Sequence, residues 1–448
     1  MSPRSRSMPL YRRIADEFRR SILAGTTEPG ARLPPQRELA EARGVTLGTV
    51  FRAYAELRRE GLIDATVGKG SFVTGPARPV AEQEIDLRAN LPPVRRVSAD
   101  LLRVLSTSPD LLDKALFGEQ SILATNLQHN STATDWLARY HGISAPRQTL
   151  ISSGGQAALS CILMALCKPG DVVLTENLTF IGLRLVAEAF GLQLIGLEMD
   201  EHGLSPESLE AMCVARKPRL LFTTPNFHSP TTILMPESRR RQIADLARRY
   251  GVIVVEDDVY GPYVDQDLPR ICSLLPDSTV LFTSLAKLVA PGLRVGFLSV
   301  PDAFVGSISQ AMRLMGAAAD PVTWHVLAGW IKDGTLADFV EANRIEFKAR
   351  HALASEKLSS FHPTGHPTCP HLWLELPPNL ARAADVVLRA ALAGVQVLSA
   401  DNFAVSGERG ENAIRISLSA AKSRDELVRA LDLLSRELSV QNREFAIA

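Results

Sequence analysis

The strongest constraint on the fold is a regular alternation of β-prone apolar runs with helical stretches between residues 171 and 300. This alternation predicts a largely parallel sheet with helices on both faces, and therefore an α/β protein. In such sheets the reactive groups lie at the carboxyl ends of the strands. The predicted strands are Asp171 to Thr175, Leu192 to Glu198, Arg219 to Thr224, Val252 to Glu256, Thr279 to Thr283 and Val295 to Val300.

Two of these strand ends carry side chains suited to carbonyl chemistry. Asp257 and Tyr260 follow one strand, and Ser284 and Lys287 follow the next. A lysine amine forms a Schiff base with an aldehyde cofactor, and a buried carboxylate such as Asp257 keeps a pyridine nitrogen protonated. A lysine in a Ser-x-x-Lys string is usually a surface lysine. The assignment of Lys287 therefore depends on the presence of Asp257 and Arg294 at the matching positions of the sequence.

These segments, with Thr224-Pro225-Asn226 at a third strand end, resemble the fold-type I aminotransferases over about residues 85 to 440. The resemblance implies that the chain binds pyridoxal 5'-phosphate and that Lys287 carries it as a Schiff base. It also implies that Tyr260 bonds the phenolic oxygen of the cofactor. A small α+β subdomain is expected at about residues 320 to 440.

A phosphate cup for the cofactor is predicted from two further segments. Ser152-Ser153-Gly154-Gly155-Gln156 is a glycine turn that opens a helix, and backbone amides at a helix N-terminus bind phosphate. Ser284 and Arg294 would complete the cup through charge-assisted hydrogen bonds. Gly155 and Gln156 are also consistent with an ordinary helix start.

Two more residues are assigned through the same resemblance. Phe180 matches the aromatic residue that stacks on the cofactor ring, and plain core packing is its alternative. Arg415, in Ala413-Ile414-Arg415-Ile416-Ser417, matches the arginine that holds the α-carboxylate of the substrate, because a planar guanidinium binds carboxylate at two points. A surface ion pair is the alternative for Arg415.

Departures from the family concern catalysis more than cofactor binding. Ser229-Pro230-Thr231-Thr232 stands where relatives mostly have Asn-Pro-x-Gly, so Ser229 replaces the asparagine that bonds the phenolic oxygen. The arm that normally closes over substrate also differs, in the segment from Gln128 to Trp136. We therefore expect cofactor capture with relaxed or altered catalysis.

The first 75 residues predict a separate, basic module. They hold 13 Lys and Arg against 8 Asp and Glu, although the 448-residue chain has no net charge. Apolar spacing predicts helices over Leu10 to Leu23, Pro35 to Arg43 and Thr46 to Gly61, with a glycine turn at Gly44. Two β-prone runs between residues 62 and 73, around a Gly-Lys-Gly tip, predict a hairpin wing.

This order of elements resembles the winged helix-turn-helix of GntR-type regulators. The resemblance places the second helix of the motif in the major groove of double-stranded DNA, and the wing near the minor groove. Solvated polar side chains are the alternative for the residues concerned. The predicted DNA contacts are Arg37, Thr46, Thr49, Gly68 and Lys69. Leu47 stands where many relatives have arginine, which leaves operator contact by that residue open.

The whole chain resembles the MocR subfamily of bacterial transcription regulators. We expect a DNA-binding domain at 1–75, a linker at 76–86 and an aminotransferase-like domain at 87–440. By the resemblance, the protein forms a homodimer in which each DNA-binding domain packs on the partner subunit, and an amine, amino-acid or cofactor-vitamer effector changes operator affinity. Two other functions stay open: an active aminotransferase with an appended DNA-binding domain, and a DNA-binding protein whose large domain only dimerises.

The remaining composition agrees with a cytoplasmic protein. No stretch approaches the roughly 20 apolar residues of a membrane span. The five cysteines are scattered without metal-ligand or disulfide spacing, which predicts a reducing compartment and no metal site.

Overall fold

The computed structural model describes residues 10–23, 27, 31–59, 62–66, 70–73, 84–93, 97–107, 113, 131–143, 148–377, 382–405 and 411–444. The chain divides into two compact units, Met1–Glu84 and Ile85–Ala448. Of the predicted linker, residues 76–83 lie outside the described part. Its last two residues, Ile85 and Asp86, form a short strand in the second unit.

The first unit has the helices and the wing that its apolar spacing predicts. It contains α1 (Leu10–Leu23), α2 (Gln36–Arg43), α3 (Leu47–Arg59), β1 (Ile63–Thr66) and β2 (Gly70–Val73). Gly44 ends α2 with a φ of 60°, a left-handed conformation that glycine adopts without strain. Strands β1 and β2 are antiparallel, with Ile63 opposite Val73 and Thr66 opposite Gly70. The predicted contacts Gly68 and Lys69 lie outside the described residues.

The second unit is built on a seven-stranded sheet in the order β4-β12-β11-β10-β9-β5-β6. All six predicted strands are present within one or two residues of their expected bounds. Strand β12 runs antiparallel to both β11 and β4, and the other neighbouring pairs are parallel, so the sheet is largely parallel as expected. Its strands are β4 (Gln148–Ser152), β5 (Val172–Glu176), β6 (Gln193–Leu197), β9 (Leu220–Thr223), β10 (Ile253–Asp257), β11 (Thr279–Ser284) and β12 (Gly296–Val300).

Helices cover both faces of this sheet. Along β11, Val280 and Phe282 pack into one apolar cluster, and Leu281 packs into another on the opposite face. Because both faces are covered, the strand is buried at every position. The longer helices of the unit are Ser98–Thr107, Ser131–His141, Gly155–Leu166, Ile181–Ala189, Pro206–Arg216, Glu237–Tyr250, Asp302–Leu314, Pro321–Asp333, Thr335–Lys357, Ala383–Leu392 and Arg424–Glu444.

A smaller sheet lies toward the carboxyl end of the chain. Strand β13 (His371–Glu375) pairs with β16 (Ala413–Ser417), which pairs with β15 (Leu398–Ser399), both antiparallel. Strand β3 (Ile85–Asp86) pairs in parallel with β14 (Val395–Gln396) and so brings the start of the unit to this region. Two short strands, β7 (Met199–Asp200) and β8 (Gly203–Leu204), form a separate hairpin. No described helix is both long and apolar enough to cross a membrane.

Candidate functional site

The predicted cofactor residues gather at the carboxyl ends of β10 and β11. Strand β10 ends at Asp257 and β11 ends at Ser284, and a single 3₁₀ turn, Leu285–Lys287, follows directly. Because β12 is antiparallel, its amino end lies at this same edge, which explains how Arg294, just before β12, comes to the site.

Lys287 is held at the site by the main chain of a residue that the sequence did not single out. Its Nζ donates a hydrogen bond to the carbonyl oxygen of Asn90 at 2.9 Å. Burial lowers the pKa of the Lys287 amine, the positive charge of Arg415 lowers it further, and Asp257 opposes the change. A lysine with a lowered pKa is more often neutral and therefore more nucleophilic.

Asp257 is buried, with 6% of its surface exposed. Burial raises its pKa to about 7; the backbone N–H of Val259, which donates to Oδ1 at 3.2 Å, opposes the rise, and the charges of Asp258 and Glu176 add to it. The nearby Lys287 also lowers this pKa without offsetting the burial. Asp257 therefore lacks a sufficient counter-charge.

The neighbouring Asp258 has the opposite environment. Its Oδ2 lies 2.6 Å from His141 Nδ1 and 2.6 Å from Arg270 Nε, and its Oδ1 accepts a hydrogen bond from Asn226. Burial alone would raise the pKa of Asp258, but Arg270 and His141 hold it well below its usual value. The ion pair anchors the turn after β10 and thereby fixes Asp257. Neither His141 nor Arg270 was expected here from the sequence, because they come from distant parts of the chain.

Tyr260 belongs to a buried polar network with Asn90 and His371. Asn90 Nδ2 lies 2.7 Å from Tyr260 Oη and 3.0 Å from His371 Nδ1. Burial raises the pKa of Tyr260 and keeps the phenol protonated. Asn90 was missed because Asn-Leu-Pro-Pro is typical of a turn, and only its pairing across the fold reveals its neighbours.

Arg415 lies in β16 and contacts Ser229 from across the site. Its Nη1 donates to Ser229 Oγ at 3.1 Å, its Nη2 donates to the carbonyl of Arg88, and its guanidinium carbon lies 4.8 Å from the centre of the Phe403 ring. Only 7% of Arg415 is exposed, and its Nε has no partner among the described residues. A buried donor without a partner is costly and suits a ligand acceptor. The alternative interpretation of Arg415, a surface ion pair, is excluded because the residue is buried.

The predicted phosphate cup is also brought together. Gly154 has a φ of 97° and precedes the helix Gly155–Leu166. A Cβ on Gly155 would lie 3.3 Å from the Cβ of Ser284, and a Cβ on Gly154 would lie 3.7 Å from the Cα of Arg294. The Arg294 side chain is exposed, and no ion pair or hydrogen bond joins it to any part of the chain that the structure describes.

Gln156 and Phe180 meet at one glycine. Gln156 Nε2 donates to the carbonyl of Gly182 at 3.1 Å. A Cβ on Gly182 would overlap with Phe180 Cε1 and Gln156 Oε1, so both side chains pack directly against this glycine. Phe180 is partly buried and also packs against the core cluster that includes Val186.

The first unit has three of its predicted DNA contacts, Arg37, Thr46 and Thr49, at or just before the start of helices α2 and α3. Arg37 and Thr46 are exposed and Thr49 is half-buried. Thr46 Oγ1 accepts a hydrogen bond from the backbone N–H of Thr49 at 3.3 Å and so caps the start of α3. Leu47 and Phe51 follow on the same helix, 45% and 61% exposed.

Family models match both units. Residues 83–434 match aminotransferase class I and II, and residues 10–73 match bacterial regulatory proteins, gntR family. The chain is 31% identical over 438 residues to the uncharacterized HTH-type transcriptional regulator YdeF of Bacillus subtilis. This alignment covers 96% of this chain and 94% of that protein. It is 25% identical to the HTH-type pyridoxine biosynthesis transcriptional regulator PdxR of Corynebacterium glutamicum, over 77% and 78% of the two chains. It is 26% identical to the probable rhizopine catabolism regulatory protein MocR of Rhizobium meliloti, over 78% and 77%.

Solved structures support the fold of the second unit. Kynurenine aminotransferase of Pyrococcus horikoshii superposes with a TM-score of 0.73 at 23% identity, over 81% of this chain and 92% of that one. LysN, the α-aminoadipate aminotransferase of Thermus thermophilus, superposes with a TM-score of 0.69 at 21% identity, over 87% and 99%. At these identities the similarity establishes the fold alone.

Proposed function

The chain belongs to the MocR subfamily of GntR-type transcriptional regulators, and on this premise we propose that it is a DNA-binding regulator that senses an amine, an amino acid or a pyridoxal phosphate vitamer. One observation carries the proposal: a chain with a winged helix-turn-helix also keeps an amine of lowered pKa, Lys287, near the buried Arg415. Such a pair suits a site in which Lys287 would hold an aldehyde cofactor that also reacts with the amine of a ligand, while Arg415 would bind the carboxylate of that ligand.

Two features of the site fit pyridoxal 5'-phosphate. A protonated pyridine nitrogen would supply the counter-charge that Asp257 lacks. The backbone of Arg294 lies beside the glycine turn, and its guanidinium would supply the positive charge that binds a phosphate. When bound, the cofactor contributes an aldehyde that reacts reversibly with amines. The residues that would hold it are Gly155, Gln156, Phe180, Ser229, Asp257, Tyr260, Ser284, Lys287 and Arg294.

The effector would compete with Lys287 for the cofactor, and Arg415 would bind its carboxylate. The Nη1 of Arg415 now bonds Ser229 Oγ, a neutral acceptor that a carboxylate would displace with a stronger bond. Binding of such a ligand would favour one of two conformations of the protein and thereby change its affinity for DNA.

The DNA partner would be a double-stranded operator with repeated half-sites. We assign its contacts to Arg37, Thr46, Thr49, Gly68 and Lys69, with α3 in the major groove. A homodimer, with each DNA-binding domain exchanged onto the partner subunit, would present two such domains. Sedimentation of the full chain at several concentrations tests the dimer.

An active aminotransferase is the second candidate, because Lys287, Asp257 and Arg415 also permit transamination. Sustained conversion of an amino acid and keto acid pair at metabolic rates would favour it. A DNA-binding protein whose large domain only dimerises would remain colourless when the cofactor is added.

A spectroscopic titration tests the proposal. Adding pyridoxal 5'-phosphate to the full chain should produce a visible absorbance band that a panel of amino acids perturbs. The band should be lost in Lys287→Ala and kept in Lys332→Ala, which removes an exposed lysine on a surface helix. A Lys287→Ala protein that responds to cofactor and amino acids like the wild type would contradict the proposal.

A further inference from the structure

Asn90 lies on a short segment that enters the site from strand β3 and is fixed on both sides. The carbonyl of Ala89 accepts a hydrogen bond from Ser417 Oγ at 3.0 Å. The backbone N–H of Leu91 donates to Ser419 Oγ at 3.1 Å. The position of Asn90 is therefore set by the small sheet, and its side chain is 4% exposed.

From this position Asn90 contacts both groups that define the reactive centre. Its main-chain oxygen accepts the Lys287 Nζ bond at 2.9 Å, and its Nδ2 lies 2.7 Å from Tyr260 Oη. The second hydrogen of Nδ2 faces His371 Nδ1 at 3.0 Å. Burial lowers the pKa of His371 well below its usual value, so this ring is neutral. Its Nε2 lies 3.4 Å from the carbonyl oxygen of His228, which can only accept, so Nε2 carries the hydrogen and Nδ1 accepts from Asn90.

The hydrogen bonds determine where the phenolic proton of Tyr260 goes. An amide nitrogen has hydrogens but no lone pair to offer, so Tyr260 Oη accepts from Asn90 and cannot donate back to it. Burial raises the pKa of Tyr260, so the phenol keeps its own proton. No acceptor for that proton is found in the described part of the chain. The phenol is therefore free to donate to a ligand.

We propose that Asn90 is a positioning residue of the site: its amide donates a hydrogen bond to the Tyr260 oxygen and so directs the phenolic proton toward an anionic oxygen on the bound cofactor. This inference rests on the proposed cofactor function. Ser229, which stands at the position expected to bond the same oxygen, accepts a hydrogen bond from Arg415 and keeps its own hydroxyl proton. Tyr260, directed by Asn90, is therefore a second donor to that oxygen.

The test follows the absorbance band of bound pyridoxal 5'-phosphate as the pH is raised. A hydrogen bond donated to the phenolic oxygen of the cofactor stabilises the negative charge on that oxygen and lowers the pH at which the band changes colour. Loss of this hydrogen bond should therefore raise that pH. Asn90→Ala should raise this pH by about one unit, because one pKa unit corresponds to roughly the free energy of one hydrogen bond to a charged group. Asn90→Asp should raise it too, because a carboxylate accepts the phenolic proton instead of directing it.

A double-mutant cycle separates positioning from a general loss of packing. If Asn90 acts through Tyr260, Asn90→Ala should cause almost no further rise in a Tyr260→Phe background. Asn412→Ala removes an amide that bonds Leu376 and Ala383, away from the site, and should leave the colour change unmoved.

Two results would overturn the inference while leaving the cofactor function intact. One is an equal shift from Asn90→Ala in both backgrounds; the other is a colour change that neither Asn90 variant moves in folded protein. A wild-type protein that forms no band would instead overturn the cofactor function and the inference with it.

Discussion

The substitution Asp257→Asn should stabilise the cofactor-free protein at alkaline pH, although it removes a residue of the site. The pKa of Asp257 is raised by burial from 3.8 to about 7. A carboxyl whose pKa is raised by folding binds its proton more tightly in the folded state. Its stabilisation is thus complete below pH 3.8 and is lost as the pH rises through 7.

The size of the effect follows from the two pKa values. Each pH unit between them is worth ~1.4 kcal/mol, so ionised Asp257 costs the cofactor-free fold up to about 4 kcal/mol. Of this, about 2 to 3 kcal/mol accumulates between about pH 5 and about pH 8. Asparagine has nearly the same shape and no charge to desolvate, so the variant should not lose this stability.

Denaturant unfolding of cofactor-free protein at a series of pH values measures the difference. Tryptophan fluorescence reports the second unit alone, since all four tryptophans lie there: Trp136, Trp324, Trp330 and Trp373. Asp258→Asn is the matched control and should destabilise at every pH, because it leaves Arg270 and His141 buried without their partner. A wild-type-to-Asp257→Asn difference that stays constant across this pH range would refute the reasoning.

Three further predictions concern DNA, effector and phosphate. Arg37→Ala should weaken binding to operator-length duplexes and reduce the slope of log affinity against log salt by about 1, measured by fluorescence anisotropy. Arg415→Lys should weaken the binding of amino acids by about tenfold or more and leave the binding of the corresponding decarboxylated amines unchanged, as measured by perturbation of the cofactor band. Gly154→Ala should weaken the binding of pyridoxal 5'-phosphate more than that of pyridoxal in a binding titration. The reason is that a φ of 97° is strained for alanine, so the substitution should distort the turn that forms the phosphate cup.

Much of the architecture was predictable because it depends on local patterns. Most strands of the large sheet contain a run of two or more apolar residues, and helix α2 of the first unit ends at Gly44, whose conformation favours glycine. Strand β4 was missed because only Leu150 and Ile151 of its five residues are apolar and because it follows a stretch with no alternating pattern. The antiparallel direction of β12 was not predicted either, because strand direction depends on chain connections.

The site divides along the same line. Lys287 and Asp257 were predictable because each follows a recognisable strand. Asn90, His141 and Arg270 were not, since each acts through a partner more than ten residues away along the chain: Tyr260 for the first and Asp258 for the other two. Such pairings are created by tertiary structure and leave no local signal.

The central claim is that ligand chemistry at Lys287 controls DNA binding. The most direct measurement is the affinity of the full chain for a duplex that it selects from random DNA, with and without pyridoxal 5'-phosphate. We predict that the cofactor changes this affinity by about fivefold or more in the wild type and leaves Lys287→Ala unaffected. Equal affinities with and without cofactor in the wild type, or the same change in Lys287→Ala, would contradict the claim.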